Sequence, residues 1–338
     1  MNYKDTHGKF LNHLNTILKI SKLTHPFLIR LQKEVVLANK YNHHLNKSDT
    51  ANLFWMGDLS IYEIANLESF IESGFKVNIW TYDMDLDFKH LLNKIDIKDA
   101  NLILDKKFLY KFRQGKQKSS MSSFSNIFRF ELLKQYGGWW FDMDCICIKD
   151  VKEFQKLTIN NNFIIGKERI NYTGSSVLFF NDTDLLNNLV NTTWDIIKKN
   201  NYNFFWGEIG PDLISEIILN KKLMGETLDQ TYFYEISADR FNMLFKTFSS
   251  SRISTELNLE DAFIVHTWNE MFKRYFISKS KLPPKNSYLY YHLLKSIDNK
   301  ANYSIYSRLF NLRFSRFLDF FVKVLFRLKI YLNNVLQK

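Results

Sequence analysis

The spacing of hydrophobic residues in the first third of the chain changes between the short period of a strand and the longer period of a helix. Residues 52–55 and 75–82 are short runs rich in aromatic and β-branched side chains, which predict two strands. Between them, Ser60 and Glu63 have the spacing of a capping box, which predicts a helix from about residue 61 to residue 73. Strand, helix and strand in this order predict a parallel crossover unit.

A second amphipathic run precedes a short aromatic strand. Its apolar residues recur every four positions and predict a helix. This stripe consists of Phe124, Phe128 and Leu132. A serine at 122, 123 or 125 is expected to cap the helix start, and Gly137 and Gly138 to end it, because glycine tolerates positive φ there. Asn126 and Arg129, three residues apart, share a face away from the centre of the stripe.

Helical patterns also occupy both ends of the chain. Residues 10–20 and 26–37 predict a helical N-terminal extension at 1–50. An α/β domain is expected at 51–285, followed by a helical C-terminal extension at 286–338. The predicted fold class is therefore α/β with helical extensions.

Side chains after the first two predicted strands are candidates for ligand binding. Ligands bind beyond the carboxyl ends of strands in open parallel sheets, at the rim of a crevice. The residues expected at this rim are Trp55, Met56, Gly57 and Tyr82. Two interpretations stay open for Trp55: it contacts a ligand at this rim, or it closes the edge of the core.

Asp142 and Asp144 are the strongest candidates for chemistry. They follow the short strand after Gly137 and Gly138, and their one-residue spacing lets both carboxylates lie on one side of a tight turn. Hard cations such as Mn²⁺ and Mg²⁺ prefer oxygen ligands, and Mg²⁺ sites often include substrate phosphate. The pair therefore predicts a Mn²⁺ (or Mg²⁺) site that holds a diphosphate.

Residues 125–144 together resemble the helix, glycine turn, strand and Asp-x-Asp motif of sugar-nucleotide glycosyltransferases with the GT-A fold. The segment looks most similar to glycosyltransferase family 32, the sugar-binding region containing DXD motif. It is more distantly similar to the glucosylating domains of the large clostridial toxins. Asn126 stands where the family pattern usually has Asp. The resemblance implies a Rossmann-like GT-A domain that binds a nucleotide-sugar donor. The family also has an Ile-Trp-x-Gly opening similar to residues 54–57, which implies that Trp55 stacks on the nucleotide base.

Two further segments extend the resemblance. Residues 263–272 are similar to a family segment of the form Val-His-x-Trp-Asn-x-Ser-Trp. They match it at His266, Trp268 and Asn269, whereas Met271 and Phe272 replace its Ser and Trp. The match implies that His266 is a third metal ligand and that Trp268 and Asn269 bind the donor. The Gly-Pro-Asp sequence ending at Asp212 resembles a family loop near the donor sugar. A structural His266 and an ordinary helix start at Asp212 stay open as alternatives.

The implied activity is a metal-dependent, retaining transfer of a sugar from a nucleotide-diphosphate sugar, with UDP-sugars favoured. The implied acceptor is a hydroxyl of a growing surface glycan such as capsule, O-antigen or lipooligosaccharide. Asp144 and Asp142 would hold the metal against the leaving diphosphate, and Arg129 would add a second positive charge. Asn126, Arg129 and Asp142 would also contact the donor. The alternative for Arg129 is a simple ion pair with a strand-end carboxylate. No protein general base is assigned, because in this type of reaction the leaving phosphate can take the acceptor's proton.

Composition agrees with a folded domain. The chain has 338 residues, 46% of them hydrophobic, and only 11 Gly and 4 Pro, which leaves no pattern of a flexible linker. Cys145 and Cys147 would point to the same side of a strand, a poor geometry for a disulfide, and are expected to be reduced core residues of a cytoplasmic protein. Neither a signal-peptide pattern nor an apolar run of membrane-spanning length is found in the sequence.

Charge adds an expectation about location. The net charge is +11, and from residue 306 onward seven Lys and Arg oppose Asp319 alone. On a helical projection four of them, Arg308, Arg316, Lys323 and Arg327, lie opposite a row of phenylalanines, which is typical of a helix on an anionic membrane surface. A packed terminal helix or a partner-binding helix are the alternatives. The prediction is a peripheral protein on the inner face of the plasma membrane that reaches a lipid-linked oligosaccharide acceptor.

A different class of function competes with the enzyme. The basic charge would also fit a non-enzymatic protein that binds membranes or nucleic acid, in which the Asp-x-Asp motif is incidental. The charge is concentrated in a Phe-rich amphipathic segment, which suits lipid better than a groove that follows phosphates. We therefore expect no nucleic acid partner.

Overall fold

A computed structural model describes residues 47–114, 120–248, 257–297, 302–307 and 324–325. The helices predicted at 10–20 and 26–37, and nearly all of the basic segment 308–338, lie outside these described residues.

The strands are β1 (Thr50–Phe54), β2 (Lys76–Thr81), β3 (Ile95–Asp99), β4 (Arg113–Gln114), β5 (Trp139–Phe141), β6 (Cys145–Cys147), β7 (Phe163–Arg169), β8 (Tyr172–Phe180), β9 (Asn203–Phe204) and β10 (Ile264–His266). The α-helices are α1 (Ile61–Glu72), α2 (Met121–Tyr136), α3 (Val151–Ile159), α4 (Thr183–Lys199), α5 (Pro211–Asn220), α6 (Gln230–Phe233), α7 (Asn269–Arg274) and α8 (Tyr288–Leu294). Short 3₁₀ helices lie at Lys89–Leu91, Ala100–Leu102, Lys106–Lys111, Met224–Glu226 and Ala238–Phe245.

Six strands form the central sheet in the order β3, β2, β1, β5, β8, β7. The first four run parallel, whereas β8 is antiparallel to both of its neighbours, β5 and β7. The predicted crossover unit is present as β1, α1 and β2, and Ser60 and Glu63 form the predicted capping box. The predicted α/β fold class is thus confirmed, and the mainly parallel sheet with helices around it is consistent with the GT-A type.

The sheet separates two apolar clusters. Trp140 of β5 packs into the cluster that includes α2, and its neighbours Trp139 and Phe141 pack into the cluster that includes α1. This division follows from the alternation of side chains along a strand. All three rings are at most 1% exposed, so the short strand that leads to Asp142 is held from both faces.

Helix α2 begins earlier than the sequence predicts. Ser120, rather than a serine at 122, 123 or 125, is the N-cap, and its side chain accepts a hydrogen bond from the Ser123 N–H. The predicted apolar stripe is buried. Gly137 and Gly138 end the helix with φ of 65° and 81°, as expected, and turn the chain directly into β5.

Two features follow the sheet in the chain. The short strand β10 pairs antiparallel with β6, outside the main sheet, so that His266 lies opposite Cys145. Helix α8 buries Leu289 and Leu293 in a third apolar cluster that also contains Ile61 of α1, so residues beyond 285 share a core with the α/β domain.

Cys145 and Cys147 of β6 are buried and free, as predicted for core cysteines. Among the described residues, no helix is both long and apolar enough to cross a membrane.

Candidate functional site

Asp142 and Asp144 lie in a turn where the chain leaves the carboxyl end of β5. The Asp142 N–H donates to Ser176 O of β8 at 2.8 Å, and the Cys145 N–H donates to Asp142 O at 3.1 Å, which closes the turn. Both carboxylates line one cleft. The turn therefore brings the two acidic groups together, as their spacing predicts.

Asp144 is fixed from the side of β10. The Thr267 N–H donates to Asp144 O, and the Asn269 N–H donates to Asp144 Oδ2, both at 2.7 Å. The other carboxylate oxygen, Oδ1, lies 3.4 Å from His266 Nε2. Pairing of β6 with β10 thus joins residues more than 120 positions apart in sequence around one carboxylate.

The donor atoms around Asp144 fit a divalent cation. Ligand atoms of Asp144, Cys145 and His266 lie within 4.8 Å of one another, and these residues form the one such group found among the described parts of the chain. Carboxylate oxygens suit Mn²⁺ and Mg²⁺, and imidazole nitrogen is a common ligand of divalent transition metals. Burial raises the pKa of the Cys145 thiol well above its ordinary value, so this group stays protonated and is a poor ligand.

Asp142 is held by an aromatic donor and a cation. Its Oδ1 accepts a hydrogen bond from Trp140 Nε1 at 2.8 Å and lies 3.3 Å from Arg129 Nη2. Burial raises the pKa of the Asp142 carboxyl; Arg129 opposes the rise, and the charge of Asp144 adds to it. A bound cation would offset the repulsion between two carboxylates that are buried next to each other.

Arg129 is 4% exposed, and its N–H groups are used within the protein. Nε donates to Ser125 O at 3.1 Å, Nη2 also donates to Ser125 Oγ at 3.1 Å, and Nη1 donates to the carbonyl and hydroxyl of Ser175. These four hydrogen bonds and the ion pair with Asp142 hold the guanidinium within the protein. The ion pair that the sequence leaves open as an alternative is therefore present, and contact of Arg129 with a donor stays a prediction.

A buried polar chain supports the turn from behind. Asn66 Nδ2 of α1 donates to Met143 O at 2.9 Å, and His292 Nε2 of α8 lies 3.1 Å from Asn66 Oδ1. Burial lowers the pKa of His292 to about 3, so the ring is neutral near pH 7 and its N–H can donate to Asn66. Two helices thus fix the carbonyl between the two site carboxylates.

The structure brings most of the predicted site residues into one cleft. Those that line it are Asn126, Arg129, Asp142, Asp144, His266, Trp268 and Asn269. Asp212 lies beside this cleft, where its Oδ1 accepts a hydrogen bond from the Tyr172 hydroxyl at 2.7 Å. Asn126 packs closely against Gly210, since a Cβ at Gly210 would lie 2.4 Å from Asn126 Nδ2. Their proposed contacts with a donor stay predictions.

The residues that follow β1 and β2 do not line this cleft. Tyr82 is bonded within the domain, with its hydroxyl donating to Leu104 O at 2.7 Å. Trp55 is partly buried, and its Nε1 donates to Gly57 O at 3.0 Å. Lys279 connects Trp55 to the site, because its Nζ lies 5.9 Å from the Trp55 ring centroid and donates to Asn269 Oδ1. Met56, next to Trp55, is also partly buried.

Sequence reasoning missed several residues of the cleft. Glu168 of β7 and the exposed Trp206 line it, together with Ser175 and Ser176 of β8 and Tyr234. These residues carry no local motif, and only the tertiary fold brings them to the site. The Lys279 contact likewise depends on a segment ten residues beyond Asn269 folding back.

A larger cavity, of about 740 Å³, lies elsewhere between α1, β6 and α8. Its lining includes Glu68 and His292 but neither carboxylate of the turn. Size alone does not identify a catalytic site, and the chemistry of the smaller cleft makes it the candidate.

Comparison with known proteins agrees with this assignment. The family model described as "Glycosyltransferase sugar-binding region containing DXD motif" matches residues 55–164, about a third of the chain. The match covers the turn with Asp142 and Asp144 and confirms both the resemblance and the class of enzyme, a glycosyltransferase. No curated protein matches the chain.

Solved structures of glycosyltransferases resemble the chain loosely. PaToxG Glycosyltransferase is 14% identical, with a TM-score of 0.34, over 57% of this chain and 80% of that one. Mouse xyloside xylosyltransferase 1 is 13% identical, with a TM-score of 0.42, over 65% and 98%. GlyE of Streptococcus pneumoniae TIGR4 is 18% identical, with a TM-score of 0.40, over 66% and 56%. At these values the description of the fold rests on the chain's own strand order.

Proposed function

We propose that the chain transfers a sugar from a nucleotide-diphosphate sugar, with UDP-sugars favoured, in a reaction that requires Mn²⁺ or Mg²⁺. The observation that carries this proposal is the meeting of Asp142, Asp144 and His266 in one cleft, although they come from distant parts of the chain. The cleft lies at the carboxyl end of β5, where open α/β sheets bind their ligands.

Asp144 and His266 would hold the cation, with Asp142 as a further ligand. A bound cation supplies the positive charge that stabilises a leaving diphosphate. The Asn269 N–H orients the Asp144 carboxylate, and Arg129 with Trp140 orients Asp142. These contacts fix the acidic groups before a ligand arrives, which lowers the cost of organising the site.

The donor would lie between the cleft and Trp55. Trp55, with Met56 and Gly57 after it, is proposed to bind the nucleotide base, which fits a base stack worth about 1 to 3 kcal/mol. Lys279 connects this edge to Asn269, and its ammonium group is also ion-paired with Glu63 of α1. Arg129 would then act through Asp142 rather than by direct contact.

The finer features of the reaction belong to the same proposal. Retention of the anomeric configuration is inferred from the family resemblance, with the leaving phosphate taking the acceptor's proton. The acceptor would be a hydroxyl of a growing surface glycan, carried by a lipid on the inner face of the plasma membrane. The basic charge of the segment 308–338 supports this location.

A donor-hydrolysis screen tests the proposal. The full chain is incubated with a panel of UDP- and GDP-sugars, with Mn²⁺ or with EDTA, and release of the nucleotide is measured. We expect release from a UDP-sugar with Mn²⁺ and none with EDTA. The proposal is wrong if no nucleotide sugar is hydrolysed and if oligonucleotides, but not UDP with Mn²⁺, raise the melting temperature.

A further inference from the structure

Two exposed aromatic side chains lie next to the cleft. Trp206 is 56% exposed and Phe205 is 82% exposed, and Trp206 is itself part of the cleft lining. Large aromatic rings are usually buried, and exposed ones beside a polar cleft often mark a binding surface. Neither ring belongs to the metal ligands or to the nucleotide-binding residues proposed above.

The loop that presents these rings is ordered by its own hydrogen bonds. The Phe205 N–H donates to Glu208 Oε2 at 2.7 Å, and the Gly210 N–H donates to Gly207 O at 2.8 Å. Gly207 has φ of 86°, and a Cβ there would lie 2.8 Å from Asp212 Oδ2. The exposure of Trp206 is therefore a property of a fixed loop.

A carboxylate shares the cleft with Trp206. Glu168 of β7 is partly buried and lines the same cleft. Burial raises the pKa of its carboxyl, and the nearby charges of His266 and Arg169 oppose the rise. Asp142 and Asp144 accept hydrogen bonds from Trp140 Nε1 and the Asn269 N–H, respectively. Glu168 takes no part in these contacts. A carboxylate accepts hydrogen bonds from hydroxyl groups, which carbohydrates offer in number.

We propose that Trp206 and Glu168 form an acceptor subsite that binds one pyranose ring of a carbohydrate. The apolar C–H face of the ring would pack on the Trp206 indole, and a ring hydroxyl would donate to the Glu168 carboxylate. Phe205 extends the aromatic surface beyond the first ring. The inference rests on the proposed glycosyl transfer, and it names the residues that would bind the acceptor carbohydrate.

The test uses the full chain, the donor found in the hydrolysis screen and simple acceptors. The acceptor probes are the methyl pyranosides of glucose, galactose and N-acetylglucosamine, together with lactose and maltose. Nucleotide release is measured with and without each probe, and binding is followed by saturation-transfer NMR. We expect at least one pyranoside to bind and to accelerate nucleotide release by the wild-type chain.

Variants separate this subsite from the donor site. Trp206→Ala should raise the KM for the active pyranoside about tenfold or more while donor hydrolysis stays within about twofold. Trp206→Phe should recover part of the loss, because it restores a flat apolar ring, and Glu168→Gln should weaken pyranoside binding with unchanged affinity for UDP. Ile159→Ala, which removes a side chain 74% exposed at the end of α3, is the matched control and should behave like wild type.

Three results would overturn the subsite. They are a wild-type chain that hydrolyses donor but neither binds nor responds to any pyranoside, a Trp206→Ala variant that responds like wild type, and a Trp206→Ala variant whose affinity for UDP falls. The last result would reassign Trp206 to the nucleotide. Failure of the proposed function is distinct from all three, because then the wild-type chain hydrolyses no donor at all.

Discussion

At the level of single residues, the charge of Asp144 is the most direct test of the metal site. Asp144→Asn keeps an oxygen that can accept from the Asn269 N–H but removes the negative charge beside His266. We expect Mn²⁺-dependent donor hydrolysis to fall by about 100-fold or more, with little change in the melting temperature. Kinetics over a range of Mn²⁺ concentrations measure the effect.

The exposed Asp184 of α4 provides the control for this substitution. Asp184→Asn makes the same chemical change far from the cleft lining and should leave hydrolysis unchanged. Normal hydrolysis in Asp144→Asn would remove this residue from the metal site. A large loss of melting temperature would instead make its role structural.

His292 gives a second prediction at this scale, concerning pH. The unfolded chain has an ordinary His pKa near 6.5, and burial lowers the folded value to about 3. Between these values the unfolded chain binds more protons, so stability is full above about pH 6.5 and is lost as the pH falls toward 3. In this range the free energy of unfolding falls, because of this one group, by up to about 1.4 kcal/mol for each unit by which the pH is lowered.

His292→Gln isolates that contribution, since an amide can also donate to Asn66 Oδ1 but does not titrate. Urea unfolding of both proteins at several pH values gives the free energies. The difference in the free energy of unfolding between wild type and His292→Gln should narrow, or change sign, as the pH falls from 7 to 4. Parallel pH curves for the two proteins would contradict a buried neutral imidazole.

At the level of elements, the sequence predicts those parts whose causes are local. The capping box of α1, the stripe of α2 and the glycine end of α2 each depend on residues within a few positions, and the structure contains all of them. The start of α2 was placed too late because several serines compete for the cap and only the fold selects Ser120. The Asp-x-Asp turn was predictable because it follows directly from that glycine end.

Gly138 shows how tightly the junction of α2 and β5 is built. Its φ is 81°, and a Cβ there would lie 2.9 Å from Asn52 Nδ2 and 3.0 Å from Thr50 O of the neighbouring strand. Gly138→Ala should therefore lower the free energy of unfolding by about 1 to 3 kcal/mol. Guanidinium unfolding followed by circular dichroism measures this loss.

Gly225 is the matched position, because a Cβ there would have no atom within 4 Å and its backbone is not left-handed. Gly225→Ala should be neutral, or stabilising by less than about 1 kcal/mol. Equal effects of the two substitutions would mean that the close approach of Gly138 to β1 is not important for stability.

At the level of the whole molecule, the site is assembled by contacts that sequence patterns do not contain. Asn66 of α1 donates to Met143 O, His292 of α8 contacts Asn66, and Glu168 comes from a strand antiparallel to its neighbour. Such contacts depend on strand order and long-range pairing. His266 could be predicted only through a family resemblance, since a His at a strand end has no local signature that separates a ligand from a structural residue.

Charge at the scale of the whole chain leads to the last prediction. Residues 308–338 carry seven Lys and Arg against one Asp, while residues 302–307 belong to the domain, as Tyr306 N–H and Ser304 O both bond to Leu282. A chain that ends at residue 307 should keep Mn²⁺-dependent donor hydrolysis. It should lose binding to anionic vesicles, because each basic residue near such a surface contributes about 1 kcal/mol.

Sedimentation with phosphatidylserine-containing vesicles measures the binding, and pure phosphatidylcholine vesicles are the control for charge. The full chain should bind the anionic vesicles, and binding should weaken at high salt because the attraction is screened. Equal binding by the shortened chain would place the membrane contact elsewhere. A shortened chain that unfolds would contradict this prediction and would assign the segment to the core of the domain, because residues that only face the lipid are not needed for folding.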